Sequence, residues 1–127
     1  MKILFLLVGL LSTSGYSDLN RSSQEITTDD VEMVFGEIAQ YDYEYDRFYT
    51  GHLLELELSG EGCGLVESQV EATLVNKEKV QLRALGDGFF DIGNRYDVFS
   101  FTSLKIVLYQ DFYRSITCKL RVLFRAD

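Results

Sequence analysis

Hydrophobic and polar residues alternate over most of the chain. Leu54, Leu56 and Leu58 alternate with Glu55 and Glu57, and a period of two is the mark of a half-buried strand. Val70, Ala72 and Leu74 repeat the pattern, and after the loop Asn76–Lys79 so do Val80, Leu82 and Ala84, which predicts a hairpin. The stretch from Tyr96 to Tyr109 is β-prone and sets Leu104, Ile106 and Leu108 on one face. Ile116, Cys118, Leu120, Val122 and Phe124 then alternate with Thr117, Lys119, Arg121, Leu123 and Arg125. Two glycine-rich segments, Ser59–Gly64 and Gly86–Asn94, read as turns. Residues 31–40 carry both helical and strand spacing, but Gly36 weakens a helix interior and the downstream context favours a strand. The sum is an all-β fold, an antiparallel β-sandwich of about six to eight short strands.

The N-terminus departs from this pattern. Lys2 precedes the apolar run Ile3–Leu11, and small and polar residues occupy Ser12–Ser17. That order is the signature of a secretory signal peptide, with cleavage expected after Ser17 or, second, after Gly15. The apolar run is too short to cross a bilayer, which takes about 20 residues. No stable membrane insertion is expected after cleavage. Residues 18–30 are polar and acidic and read as a flexible leader. Asn20-Arg21-Ser22 within it fits the N-glycosylation pattern, which matters only in a eukaryote. The expected organisation is therefore a signal peptide over 1–17, a leader over 18–30 and one β-sandwich domain over 31–127, in a protein that is secreted or periplasmic.

Charge sharpens the picture. The chain has 127 residues and a formal net charge of −8, and loss of Lys2 makes it more negative. Nine acids (Asp18, Glu25, Asp29, Asp30, Glu32, Glu37, Asp42, Glu44, Asp46) stand between residues 18 and 46 against one base, Arg21. Nucleic-acid phosphates would be repelled, so no nucleic-acid binding is expected, while a basic protein partner is suited. The only two cysteines, Cys63 and Cys118, are expected to form a disulfide in an oxidising compartment. Closing so long a loop stabilises by about 4 kcal/mol in the chain-entropy treatment.

Little in the sequence points to catalysis. His52 is the single histidine, with no nucleophile motif beside it. Acid pairs suited to glycoside hydrolysis are too abundant to be specific. The sequence predicts a non-catalytic protein with no cofactor and no dedicated metal site. Asp42, Glu44 and Asp46 begin like an EF-hand loop, but the sixth position is Arg47 and the twelfth Leu53, where glycine and glutamate are required. A calcium-dependent binding module built from loops stays open as an alternative, as does inhibition of a basic secreted hydrolase.

The candidate binding strip is the run Tyr41–Tyr49: Tyr41, Asp42, Tyr43, Glu44, Tyr45, Asp46 and Tyr49. On a strand its tyrosines line one face and its carboxylates the other. The acids either meet bases of the same chain, the row Lys119, Arg121 and Arg125 of the last strand with Lys105 and Arg83 on others, or face an outside partner. The favoured expectation is a small exported binding or structural module acting by protein–protein association.

Overall fold

The computed structural model describes residues 23–110 and 114–126. The signal-peptide segment lies outside them. Nine strands occur among the described residues: β1 Ser23–Met33, β2 Ile38–Gly51, β3 Leu53–Ser59, β4 Val66–Leu74, β5 Lys79–Gln81, β6 Arg83–Gly86, β7 Phe89–Asp91, β8 Phe99–Gln110 and β9 Ile116–Arg125. One 3-10 turn, Cys63–Leu65, precedes β4. All pairings are antiparallel. They build a five-stranded sheet in the order β1-β9-β3-β7-β6 and a four-stranded sheet in the order β2-β8-β4-β5. The two sheets pack as a β-sandwich.

The core follows from the alternation. Val31 and Met33 of β1, Leu54 and Leu56 of β3, and Leu120, Val122 and Phe124 of β9 point inward from one sheet. Val70 and Ala72 of β4 and Phe101, Leu104, Ile106 and Leu108 of β8 meet them from the other. Phe101 stacks edge-on to Phe124 at 4.8 Å, and Tyr45 and Tyr49 of β2 extend this aromatic cluster toward the open side of the sandwich. Cys63 and Cys118 are bonded, with Cα atoms 6.0 Å apart, so the 3-10 turn is tied to the core face of β9.

Four local expectations change. Ser23–Asp30 is strand rather than leader; it pairs with β9 from Arg125 back to Lys119. Residues 31–40 are the end of β1, the turn Val34–Glu37 with Gly36 at φ 74°, and the start of β2. The expected strand Val80–Ala84 breaks at Leu82. The Leu82 N–H still bonds the Val70 carbonyl, but Arg83 onward joins the other sheet. The Gly86–Asn94 segment also holds a strand that the turn reading overlooks. Asp87 and Gly88 both have positive φ and close a two-residue hairpin that brings β7 back along β6. Arg83 and Asp91 face each other across it. Asp91 is fully buried; Arg83 donates from Nε to Oδ1 at 3.0 Å and from a terminal nitrogen to Oδ2 at 2.8 Å, and the Gly93 N–H adds a third bond.

The passage from β2 to β3 is as short a crossover as the one at Leu82. The chain changes sheets across His52 alone, whose N–H bonds the Arg125 carbonyl at 2.9 Å. A Cβ at residue 51 would lie 2.3 Å from that carbonyl oxygen and 2.9 Å from the Phe124 ring. Only glycine fits. Gly51→Ala is expected to destabilise by about 3 kcal/mol, a fall in Tm of roughly 10 °C or more, readable by thermal circular dichroism.

The Arg83–Asp91 pair predicts a pH-dependent cost. The bonded guanidinium holds the Asp91 carboxyl below its ordinary value. Its contribution is therefore present above the unfolded pKa of about 3.9 and is lost as pH falls through the folded value. Arg83→Met should lower the unfolding free energy near neutral pH, because it leaves the Asp91 carboxylate without its guanidinium. Urea titration near pH 3 should show a smaller deficit, since Asp91 can then be buried neutral.

Candidate functional site

Strand β2 carries the whole candidate strip and divides it by geometry. Among the described residues it ends the four-stranded sheet, with β8 as its one neighbour. Its residues alternate between exposed and half-buried from Gln40 to Asp46. The half-buried set is Tyr41, Tyr43 and Tyr45; the exposed set is Asp42, Glu44 and Asp46.

The tyrosines point inward and reach the facing sheet. Tyr41 Oη donates to the Glu32 carbonyl at 2.7 Å and accepts from the Glu32 N–H at 3.1 Å. Tyr43 Oη donates to Asp29 Oδ2 at 2.8 Å, and Tyr45 Oη lies 2.6 Å from Thr27 Oγ1. The three contacts step down β1 as they step up β2, so the two antiparallel edge strands are linked at regular intervals. Burial first, then the bond to Asp29, pushes the Tyr43 hydroxyl well above its ordinary value. Burial raises Tyr45 likewise. Tyr49 sits beyond a bulge in the β2–β8 register between Glu44 and Tyr49. It packs against Tyr45 and Phe101, and the Arg47 guanidinium lies 4.9 Å above its ring.

The carboxylates face out. Asp42 is the cross-strand neighbour of Lys105, but the Lys105 ammonium lies 3.6 Å from Glu71 on β4. Gln40 donates weakly to Asp42, at 3.3 Å and 3.4 Å. Glu44 stands opposite Ser103, and Asp46 lies in the bulge. Among the described residues no ion pair joins Asp42, Glu44 or Asp46 to a base. With Glu71, Thr73, Lys79 and Lys105, the first two border a shallow depression of about 410 Å³ on this face.

The basic row of the last strand is engaged elsewhere. Arg121 bonds Glu25 at 2.8 Å and Glu57 at 2.5 Å, and Lys119 lies 3.8 Å from Asp30. The reason is topological: β9 lies inside the five-stranded sheet between β1 and β3, so its outward side chains meet those strands and not β2. The alternation placed both rows on outward faces; it could not say that the faces belong to different sheets. Lys105 was among the bases expected to be available to the acids, whereas Glu71 and Lys79 were missed as site residues, since only strand order brings them beside Asp42.

Other chemistry finds less support in the geometry. A larger depression, about 490 Å³, lies beside Cys63 and is bordered by Glu55, Glu57 and Asp87. No group of three or more His, Cys, Asp or Glu side chains among the described residues is placed to hold a metal ion. His52 turns its ring toward the 91–98 loop, with Nδ1 3.2 Å from the Arg95 carbonyl. No helix among the described residues is long and apolar enough to cross a membrane.

The tyrosine contacts generate a prediction. Tyr43→Phe removes one bond to a carboxylate and should cost about 1 kcal/mol in urea unfolding near neutral pH. A raised tyrosine pKa contributes stability below the unfolded value of about 10, and that stability is lost as pH rises through the folded value. Above about pH 10 the variant should therefore lose stability less steeply than wild type. Identical slopes would show that Tyr43 is not coupled to folding. Compared with known proteins, the chain matches no family model, no curated protein and no solved structure.

Proposed function

We infer that the protein is an exported, non-catalytic binding module that associates with a basic partner protein through the outward face of its four-stranded sheet. The observation that carries this reading is the row Asp42, Glu44 and Asp46. These carboxylates are exposed and without a basic partner among the described residues, although the fold neutralises comparable acids on the other sheet with Arg121 and Lys119. Two carboxylates on one strand face, nearly 7 Å apart, repel by about 0.6 kcal/mol in water. A solvated row of this kind is tolerated in the free protein and gains when a cationic surface closes over it. The tyrosines enter this reading as supports: their hydroxyls fix β2 to β1, which holds the acids at constant spacing on a rigid strand.

Export rests on two features. Residues 1–17 have the charge, apolar run and small-residue zone of a signal peptide. The domain also carries a disulfide whose half-cystines are nearly fully buried, the kind of bond that persists in an oxidising compartment.

The test is charge reversal on the mature protein. The variant Asp42→Lys/Glu44→Lys/Asp46→Lys should keep the wild-type Tm to within a few degrees, because surface changes away from packed features cost about 0.5 kcal/mol or less each. It should lose the partner that wild type captures from its native extract at low salt. Equal recovery by a folded triple variant would overturn the reading.

A further inference from the structure

The edges of the two sheets are not alike. Strands β5 and β6 end their sheets with three and four residues. The free edge of β1 is capped at Glu32, where the Tyr41 hydroxyl meets both the N–H and the carbonyl. Strand β2 is different. It runs 14 residues and, among the described residues, has β8 on one side only. Its register with β8 is continuous from Ile38↔Tyr109 to Glu44↔Ser103. In an antiparallel pair every second residue turns its N–H and carbonyl away from the neighbouring strand. Along Ile38–Glu44 those groups bond no other described residue.

A row of unpaired backbone groups is a template for another strand. Natural edges are blunted by proline, by bulges or by charge. The chain contains no proline. The bulge comes only after Glu44, where Tyr45–Phe48 of β2 stand against Thr102 alone in β8. Charge is therefore the device that governs Ile38–Tyr45, and it is selective. If a second copy of β2 paired antiparallel on this edge, the outward carboxylates of the two strands would oppose one another, and like charges directly opposite are destabilising. A strand bearing Lys or Arg at alternate positions would set each cation against Asp42 or Glu44.

We propose that the free edge of β2, Ile38–Tyr45, is a strand-addition site for an extended basic segment of a partner protein. This rests on the proposed association through the acidic face and adds its mode: main-chain pairing supplies the affinity, and the acid row selects the partner and rejects self-association. The partner's outward residues are cationic. Its inward residues are apolar or small and lie along the rims of Tyr41 and Tyr43, while on the outward face Ile38, which is 69% exposed, stands at one end of the acid row.

Synthetic peptides test the mode apart from the charge. The probe is a ten-residue peptide of alternating lysine and threonine, with two analogues carrying N-methyl groups on every lysine amide or on every threonine amide. In a strand these two sets of amides point to opposite edges. Titration of the mature protein at low ionic strength should show one analogue binding within about twofold of the parent and the other weakened about tenfold or more. Asp42→Lys/Glu44→Lys, which folds as wild type by circular dichroism, should weaken the parent peptide by about tenfold as two favourable cross-strand pairs become unfavourable. If both analogues bind alike yet the charge-reversed variant fails, strand addition is overturned and a purely electrostatic association stands. If the parent peptide does not bind wild type, strand addition is overturned outright, while recovery of a partner by wild type and not by the triple variant still decides the acidic face separately.

Discussion

The sandwich depends on the hydroxyls of Tyr41, Tyr43 and Tyr45 reaching from one sheet to the edge strand of the other. Strand β1 is polar over most of its length; its inward positions include Thr27 and Asp29 as well as Val31 and Met33. A polar residue facing a core loses hydration and must find a hydrogen bond there. The tyrosines supply those bonds while their rings cover the gap between the sheets. The same three residues thus close the open side of the core, hold the first strand against β9, and orient β2 so that its carboxylates face water. Ring and hydroxyl are both needed. Phenylalanine would cover the core but take away the tyrosine bonds to Asp29 Oδ2 and Thr27 Oγ1; serine would not reach.

This mutual dependence explains what the sequence could and could not reveal. The inward faces of β3, β4, β8 and β9 are apolar at most alternate positions, and each was legible because the pattern is local. The two-faced character of β2 was legible for the same reason. Strand β1 was not, since Ser23–Asp30 has the composition of a solvated leader. What makes it a strand is a set of partners 9 to 18 residues further along and a pairing with β9 almost a chain length away. Local alternation also hid the break at Leu82, because a strand that changes sheets keeps its period while its neighbours change. The hairpin at Asp87-Gly88 had a sequence signal, the Asp-Gly pair suited to a turn with two positive φ angles, but it was absorbed into a longer turn rich in glycine.

The distribution of ion pairs follows from strand order and not from composition. Acids outnumber bases 20 to 12 over the whole chain, so bases are the scarce component. Arg121 and Lys119, on the interior strand β9, have acids on both flanking strands and are used there. Lys105, on the interior strand β8, has Asp42 on one side and Glu71 on the other, and its ammonium sits nearer Glu71. Among the described residues the edge strand β2 has a neighbour on one side only, so its carboxylates have half the chance of meeting a base. Unneutralised charge therefore collects at the long edge, where its effect on association is greatest.

An edge of this kind faces two opposing demands. It must not pair with its own copies, and a chain without proline has only bulges, charge and cover to prevent that. Strand β1 uses cover, with the Tyr41 hydroxyl occupying the outward backbone groups of Glu32. Strand β2 cannot be covered in the same way, because its tyrosines are turned inward to serve β1. It is left with charge. Charge differs from cover in being conditional: it excludes acidic or identical strands, and it favours a basic one. The arrangement that stabilises β1 is therefore also what leaves β2 open, and the acids that keep it from self-association define the chemistry of the segment it would accept.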